Sequence, residues 1–348
     1  MSFCKLVHAR SEENWSDATI ERLIHYAKSH HDLEPDKLNM HCDKTANEAT
    51  VRILYENTIN CVRGVAAEAI GALLWDHIDW LDKLTAGIEA LVRDIHPVVR
   101  MAAIDALLPV LNIDKDIAVN WFCLACRDDL RVAASPRAVY FFNHVFSSHA
   151  EQLTPLIKAM VNSPLDEVSQ EGAEEVTARW LFHDYFGEEL KSCINGSVPQ
   201  RRGVVQVAAH FLHDDNYAER CQELLLPLMN DPEKEVRKEL AGIFRNQNIF
   251  KAHVPQSFIS TYIKSNAYVD APSGIIDGIK EHPGSLLPLS AVIFDICKIF
   301  STTLLEESRN LSSRIPHTAS EIYSLLLRLY EQAEGLNNAV IRDQCLDI

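Results

Sequence analysis

The feature that most constrains the fold is a helical segment, residues 94–111, whose pattern recurs along the chain. Pro97 suits the first position of a helix, where its missing N–H is not needed. The apolar residues after it recur at helical spacing and form one stripe, made of Val99, Ala102, Ala103, Ala106, Leu107 and Val110. Similar small-residue faces follow Arg63 and Arg237. A helix that returns with the same face predicts a stacked helical repeat.

The Val-Arg pair at the start of this helix gives the length of the repeat. Its copies are marked by Arg63, Arg100, Arg131 and Arg237, with weaker alignments at Ser169 and Arg202. Successive copies are about 31 to 38 residues apart, near the roughly 34 to 47 residues of helical-solenoid repeats. Tetratricopeptide repeats share this length, but their Trp-Leu-Gly-Tyr pattern is absent.

The run Asp-Pro-x-x-x-Val-Arg before an alanine-rich helix resembles HEAT repeats, and residues 231–237 are its cleanest copy. The resemblance implies an all-α fold: an α-solenoid of antiparallel helix pairs, a HEAT/armadillo-like superhelix. It also implies that the aspartate and the arginine tie neighbouring repeats together. On this basis the structural tying residues are Asp94, Arg100, Asp231 and Arg237.

Periodicity and capping residues predict the individual helices. Ser16 is the expected N-cap of the helix at 17–29. The other predicted helices are 46–59, 61–75, 81–93, one from 97, 116–126, 131–146, 150–162, 164–182, 186–194, 199–212, 217–229, 232–245, 258–263, 272–279, 286–305, 318–334 and one from about 338. Pro136 marks the start of its helix or a kink in it, and Asp231 is the expected N-cap of 232–245.

The predicted domain organisation has three parts. Residues 1–48 form an N-terminal helical segment and loop, 49–255 form the HEAT-like repeats, and 256–348 form degenerate C-terminal helical repeats. The last helix carries apolar residues on one face, and no polar capping unit follows it. We therefore expect a truncated end, with an atypical terminal repeat as the alternative.

Charge and cysteine usage narrow the function classes. The net charge of −16 argues against binding to DNA, RNA or an anionic membrane. Nine scattered cysteines are typical of free thiols in a reducing compartment. The N-terminus lacks a signal-peptide core, and the most apolar stretch is interrupted by Asp295 and Lys298. These observations predict a cytoplasmic protein.

No motif points to catalysis, a cofactor or a metal. Cys123 and Cys126 form a Cys-x-x-Cys without the second ligand pair that zinc needs. The paired histidines 30–31 and the His-Cys pair 41–42 lack a metal-binding helical spacing. Phosphate-binding loops, Gly-x-Ser-x-Gly and Gly-x-Gly-x-x-Gly are absent. We therefore predict no catalytic, cofactor-binding or metal-binding residue.

Aromatic and basic residues supply the candidates for partner binding. Aromatic clusters occur at residues 140–146 and 180–186. Core packing between repeats is one interpretation, and a partner-binding face is the other. The adjacent pair Arg201-Arg202 binds an acidic group or is an ordinary surface pair. The resulting candidates are Tyr140, Trp180, Tyr185, Arg201 and Arg202.

From Leu54 onward the sequence resembles the C-terminal helical region of large bacterial STAND-type NTPases, a class that includes anti-phage defence proteins. The resemblance is carried by residues 60–70, 96–100, 282–288, 326–333 and 345–347. In such proteins an effector and a P-loop ATPase precede a helical array that acts as a sensor. The resemblance implies a non-catalytic scaffold whose concave face binds a protein ligand, including one of phage origin, and which associates with an upstream ATPase module.

Two other function classes remain open. One is a stand-alone HEAT-like adaptor with its own partner. The other is a HEAT-like enzyme that modifies nucleic acid, which would need a basic concave surface that a chain of charge −16 is poorly suited to provide.

Overall fold

A computed structural model describes residues 1–31, 49–250, 254–307 and 314–348. Within these residues the chain is all-helical, with nineteen α-helices and no strand, which confirms the all-α part of the expected fold. None of the described helices is both long and apolar enough to cross a membrane. The chain divides into two compact units, Met1–Val176 and Thr177–Ile348.

The first unit contains the helices from the N-terminus to Val176, which lies within α9, and the remainder of α9 belongs to the second unit. These are α1 (Ser2–Ala9), α2 (Asp17–Ser29), α3 (Val51–Asn57), α4 (Val62–Asp76), α5 (Leu81–Val92), α6 (Pro97–Val110), α7 (Lys115–Cys126), α8 (Pro136–Val161) and α9 (Asp166–His183). The second unit contains α10 (Gly187–Ile194), α11 (Val198–Phe211), α12 (Ala218–Leu228), α13 (Lys234–Ala241), α14 (Gln256–Ile263), α15 (Asn266–Asp270), α16 (Ser273–Glu281), α17 (Ser290–Glu307), α18 (Arg314–Gly335) and α19 (Ala339–Asp347).

Local capping chemistry explains the helix boundaries that the sequence predicted well. The Ser16 side chain accepts a hydrogen bond from the Thr19 backbone N–H, so the N-cap of α2 is confirmed. Helix α8 begins at Pro136, with Ser135 as its N-cap. Predicted helices 131–146 and 150–162 are joined in α8, and only His149 has a non-helical backbone between them.

Three features differ from the sequence-based prediction. Helices α1 and α15 were not predicted, because each is too short to show a clear apolar period. Helix α13 begins at Lys234 after Glu233, so the N-cap prediction for Asp231 was wrong. The Asp231 carboxylate instead accepts a hydrogen bond from the backbone N–H of Glu233, at 2.8 Å. The predicted loop and the His41-Cys42 pair fall mainly or wholly outside the described residues.

The helices of the first unit pack in two rows. One row runs α1, α4, α6 and α8, and the other runs α2, α5 and α7. Helices α4 and α6 approach closely, since a Cβ added at Gly71 would lie 2.8 Å from the carbonyl oxygen of Asp105. Helix α6 forms the centre of this unit: between Pro97 and Val110 only Pro97 and Asp105 are not buried.

Packing in the second unit also links helices that are near neighbours in sequence. Helix α11 contacts α10, α12 and α13, and α12 contacts α14, which in turn contacts α17. Helix α16 packs on the 3-10 turn Gly242–Arg245 and on α18. The last helix, α19, packs on α18 and has no buried residue.

Candidate partner-binding surface

An arginine–aspartate contact joins successive helix pairs in the first unit. The Nε atom of Arg63, on α4, lies 2.9 Å from Oδ2 of Asp94, in the turn before α6. The other oxygen of Asp94 accepts a hydrogen bond from the backbone N–H of His96, at 2.8 Å. Arg100 donates to the backbone carbonyl of Asp94, at 3.3 Å. Asp94 therefore binds the arginine side chain of the preceding helix pair, while Arg100 holds the Asp94 backbone.

The same contact recurs twice in the second unit. Arg201 Nε lies 2.7 Å from Asp231 Oδ2, and Arg237 Nε lies 2.6 Å from Asp270 Oδ2. Arg237 also donates to the backbone carbonyl of Asp231. We call the pairs Arg63–Asp94, Arg201–Asp231 and Arg237–Asp270 the Arg–Asp contacts. Each links an arginine to an aspartate about 30 residues later, which matches one repeat length.

His96 lies beside the first Arg–Asp contact and is only 1% exposed. Its Nδ1 accepts a hydrogen bond from the backbone N–H of Val98 and so caps α6. Burial of the imidazole lowers its pKa to about 4, with further lowering by nearby arginines and a small opposing effect of Asp129. The arginines are Arg63, Arg100 and Arg131. The neutral imidazole is thus built into the start of α6.

The two predicted basic candidates have different surroundings. The Arg201 side chain is largely buried in its contact with Asp231, so we leave it out of the proposed partner surface. Arg202 is about one-third exposed and lies 3.2 Å from Glu239 Oε2. Gln206 donates to the other oxygen of Glu239, at 3.2 Å. Gln206 and Glu239 line a polar cleft of about 440 Å³ between α11 and the end of α13.

The three aromatic candidates also differ in exposure. Tyr140 is 52% exposed, and its ring centroid lies 4.1 Å from that of His144. Tyr185 is 45% exposed in the turn between α9 and α10. Trp180 is half-buried, and the guanidinium of Arg220 covers its ring at 3.8 Å from the centroid. The two tyrosines therefore present aromatic surface to solvent, whereas the Trp180 ring already has a cation against it.

Most of the first aromatic cluster belongs to the core. Phe141, Phe142 and Phe146 are fully buried, and Phe141 stacks on Phe122 with centroids 4.3 Å apart. The core-packing interpretation therefore holds for these phenylalanines, and Tyr140 is the cluster member that is left exposed.

A cleft that the sequence did not predict lies on the row α1, α4, α6 and α8. It has a volume of about 310 Å³, and we call it the Asp105 cleft. Its lining includes His8, Glu68, Trp75, Asp105, Leu108 and Arg137. Trp75, at the end of α4, is 58% exposed. The only signal in the sequence was an acidic residue, Asp105, in a helix whose other residues, apart from Arg100, are apolar.

The charges in the Asp105 cleft are unevenly paired. Arg137 Nε lies 2.8 Å from Asp105 Oδ1. Burial, with a smaller contribution from the neighbouring Glu68, raises the pKa of Asp105 to about 6 against the opposing effects of Arg137 and His8. Two carboxylates thus share this cleft with one guanidinium.

An apolar cleft lies among α17, α18 and α19, with a volume of about 470 Å³. Its lining includes Tyr323, Leu327, Cys345 and Leu346. Tyr323, Leu327 and Leu346 are exposed, so the three C-terminal helices present a continuous apolar groove.

The described residues contain no group of three or more His, Cys, Asp or Glu side chains that could hold a metal ion. In the Cys-x-x-Cys, burial raises the pKa of both thiols, which disfavours the nucleophilic thiolate. No family model matches this chain. No curated protein sequence matches it at a significant level. The surface described above is therefore the basis of the functional argument.

Proposed function

We propose that this chain is a non-catalytic, HEAT-like α-solenoid scaffold that binds a protein ligand on its concave face. The observation that carries the proposal is the repeated Arg–Asp contact, because three such contacts each link an arginine to an aspartate about one repeat length later. The two-row packing in the first unit supports it too. Repeat arrays of this kind use side chains spread over several repeats to bind a partner.

The exposed aromatic residues supply the binding chemistry. Tyr140 and Tyr185 offer rigid side chains that bury a large area at low entropic cost, and Tyr is enriched among the residues that dominate binding energy. Clefts on the same helices as the exposed residues, including the Asp105 cleft, add places for partner side chains. Acidic residues in that cleft disfavour a nucleic-acid ligand.

We further propose that the scaffold is the sensor part of a bacterial STAND-type NTPase with a phage protein as its ligand. The support is the sequence resemblance, which covers most of the chain. A cytoplasmic location fits nine cysteines scattered without a disulfide framework, since a reducing compartment keeps thiols reduced.

Protein binding is tested with the immobilised full chain and proteins from phage-infected bacteria. Quantitative mass spectrometry compares wild type with Tyr140→Ala and Tyr185→Ala, two exposed sites whose loss leaves the core intact. We expect one protein to be enriched by the wild type and at least about ten-fold less by one of these variants, as for a binding hot spot. Equal enrichment by all three, or enrichment of nucleic acid alone at low salt, counts against the proposal.

The link to an NTPase is tested by sequencing the DNA that flanks the reading frame. A P-loop ATPase encoded upstream, with helical residues in frame beyond Ile348, supports the sensor assignment. An unrelated upstream gene and a stop codon after Ile348 favour a stand-alone adaptor instead.

A further inference from the structure

The floor of the Asp105 cleft is a single outward-facing carboxylate on a buried helix. After Pro97, Asp105 is the only residue of α6 that is not buried. Its Oδ1 is engaged by Arg137, whereas its Oδ2 has no hydrogen-bond partner among the described residues. An aspartate at the centre of a buried helix costs free energy, because ionising a half-desolvated carboxyl group is unfavourable. Core packing therefore does not explain why this position carries an aspartate.

A second carboxylate stands beside the first. Glu68 projects from α4 into the same cleft and raises the pKa of Asp105. Within the described part of the chain Glu68 has neither an ion pair nor a hydrogen-bond partner. Arg137 pairs with only one of the two carboxylates, so Glu68 and the second oxygen of Asp105 line the cleft without a guanidinium against them.

The wall of the cleft carries an exposed aromatic ring. Trp75 lines the cleft from the end of α4, and more than half of its surface is in contact with solvent. Unlike Trp180, whose ring is covered by Arg220, Trp75 has no cation over it in the described residues. Indole is the aromatic group that attracts a cation most strongly.

We propose that the Asp105 cleft receives a lysine or arginine side chain of the protein ligand, stacked on Trp75 and paired with Glu68 and Asp105. This inference rests on the proposed function, since it names the chemistry of one contact in that interface. An acidic group would meet two carboxylates here, and an apolar group would desolvate them without pairing them. A basic side chain satisfies both the free carboxylate oxygens and the exposed ring.

The test uses the full chain labelled with 5-fluorotryptophan and short capped peptides, so it does not need the protein ligand. The chain has five tryptophans, and Trp75→Phe assigns the signal of interest. Titration with acetyl-Gly-Lys-Gly-amide or acetyl-Gly-Arg-Gly-amide is expected to shift that signal and saturate with a dissociation constant on the order of a few millimolar. Acetyl-Gly-Gln-Gly-amide is expected to leave it in place.

Glu68→Gln is the matched variant, because Glu68 is partly exposed and the substitution keeps its size. It is expected to weaken peptide binding at least about three-fold, and 1 M NaCl is expected to weaken wild-type binding similarly. Trp15→Phe, outside the cleft lining, is the control: it removes a different fluorine signal and should leave the response of the Trp75 signal unchanged. A shift that is equal with the glutamine peptide, that does not saturate, or that persists unchanged in Glu68→Gln overturns the inference.

The two proposals can fail separately. If the Trp75 signal does not respond to basic peptides while Tyr140→Ala or Tyr185→Ala still loses a protein ligand, the assignment of the Asp105 cleft is wrong and the scaffold function stands. If the basic peptides bind as expected but no protein ligand depends on the exposed tyrosines, the scaffold function loses its support and the cleft remains a site for basic groups.

Discussion

The buried imidazole of His96 gives the sharpest quantitative prediction, because its protonation state couples folding to pH. An unperturbed imidazole titrates at 6.5, and in the folded chain this pKa is lowered to about 4 by burial and by nearby arginines. Between these two values the unfolded chain binds more protons than the folded one. Stability therefore rises with pH in this window and is lost as the pH falls from 6.5 towards 4.

The size of the effect follows from the pKa difference. Each unit of pKa shift corresponds to about 1.4 kcal/mol, so His96 alone should remove about 3 kcal/mol of stability between pH 7.5 and pH 4. His96→Asn abolishes the titration and keeps a cap, since an asparagine side-chain oxygen is also a good acceptor at this position. Any cost of the substitution itself is a constant offset, whereas the loss of titration appears as a slope with pH.

The assay is urea unfolding of the full chain and of His96→Asn at several pH values from 7.5 to 4. Other titrating groups act equally in both proteins and cancel in the difference. As the pH falls from 7.5 to 4, we expect the unfolding free energy of the wild type to decrease by about 3 kcal/mol more than that of the variant. His25→Asn, an exposed histidine of α2, is the control. A difference that stays flat with pH, or that moves in favour of the wild type in acid, refutes the reasoning.

Three further tests, each by substitution, address the packing and the charges. Asp231→Ala should cost about 3–5 kcal/mol in urea unfolding because it strands a buried guanidinium. Glu188→Ala, in an ion pair with Lys191 that is exposed on both sides, should cost under about 1 kcal/mol; similar losses for both contradict the role of the Arg–Asp contacts. Burial, with two neighbouring glutamates, raises the pKa of Glu171, so the folded state favours the protonated acid and stability falls as the pH rises. Glu171→Gln should therefore raise the melting temperature at pH 8 but not at pH 4. A gain at both pH values speaks against this cause. A Cβ at Gly172 would lie 2.4 Å from the backbone at the end of α8, whereas one at Gly187 meets nothing within 4 Å. Gly172→Ala should therefore lower the melting temperature, and Gly187→Ala should keep or raise it. The opposite order would show that the approach of α9 to α8 is looser than described.

The Arg–Asp contacts show what the resemblance to HEAT repeats indicated and what it left open. The sequence pattern singled out Asp94 and Asp231, and in the structure each lies beside an arginine. The implied role in tying repeats remains a proposal that Asp231→Ala addresses. The pattern did not indicate which arginine each aspartate would bind. Asp94 pairs through its side chain with Arg63, one repeat earlier, because the turn that holds the aspartate packs against the start of the preceding helix pair.

The partner-binding candidates stay predictions, and the structure adds how exposed each of them is. Tyr140 and Tyr185 were named and are exposed, whereas Arg201 was named and is held in a buried ion pair. Trp75 was not named, although it is among the more exposed large side chains. The exposure of a side chain depends on which neighbouring helix covers it. That helix can begin 30 residues away, so the local sequence pattern does not indicate the exposure.

What the sequence determined by itself was local: where helices begin, which face of each is apolar, and that the pattern repeats. These features depend on residues within one or two turns of each other, such as Ser16 at the start of α2 or Pro136 at the start of α8. What only the tertiary structure decided was non-local. The neutral state of His96 and the outward position of Asp105 arise when α4, α6 and α8 pack side by side, because burial and the distances between charges exist only after that packing.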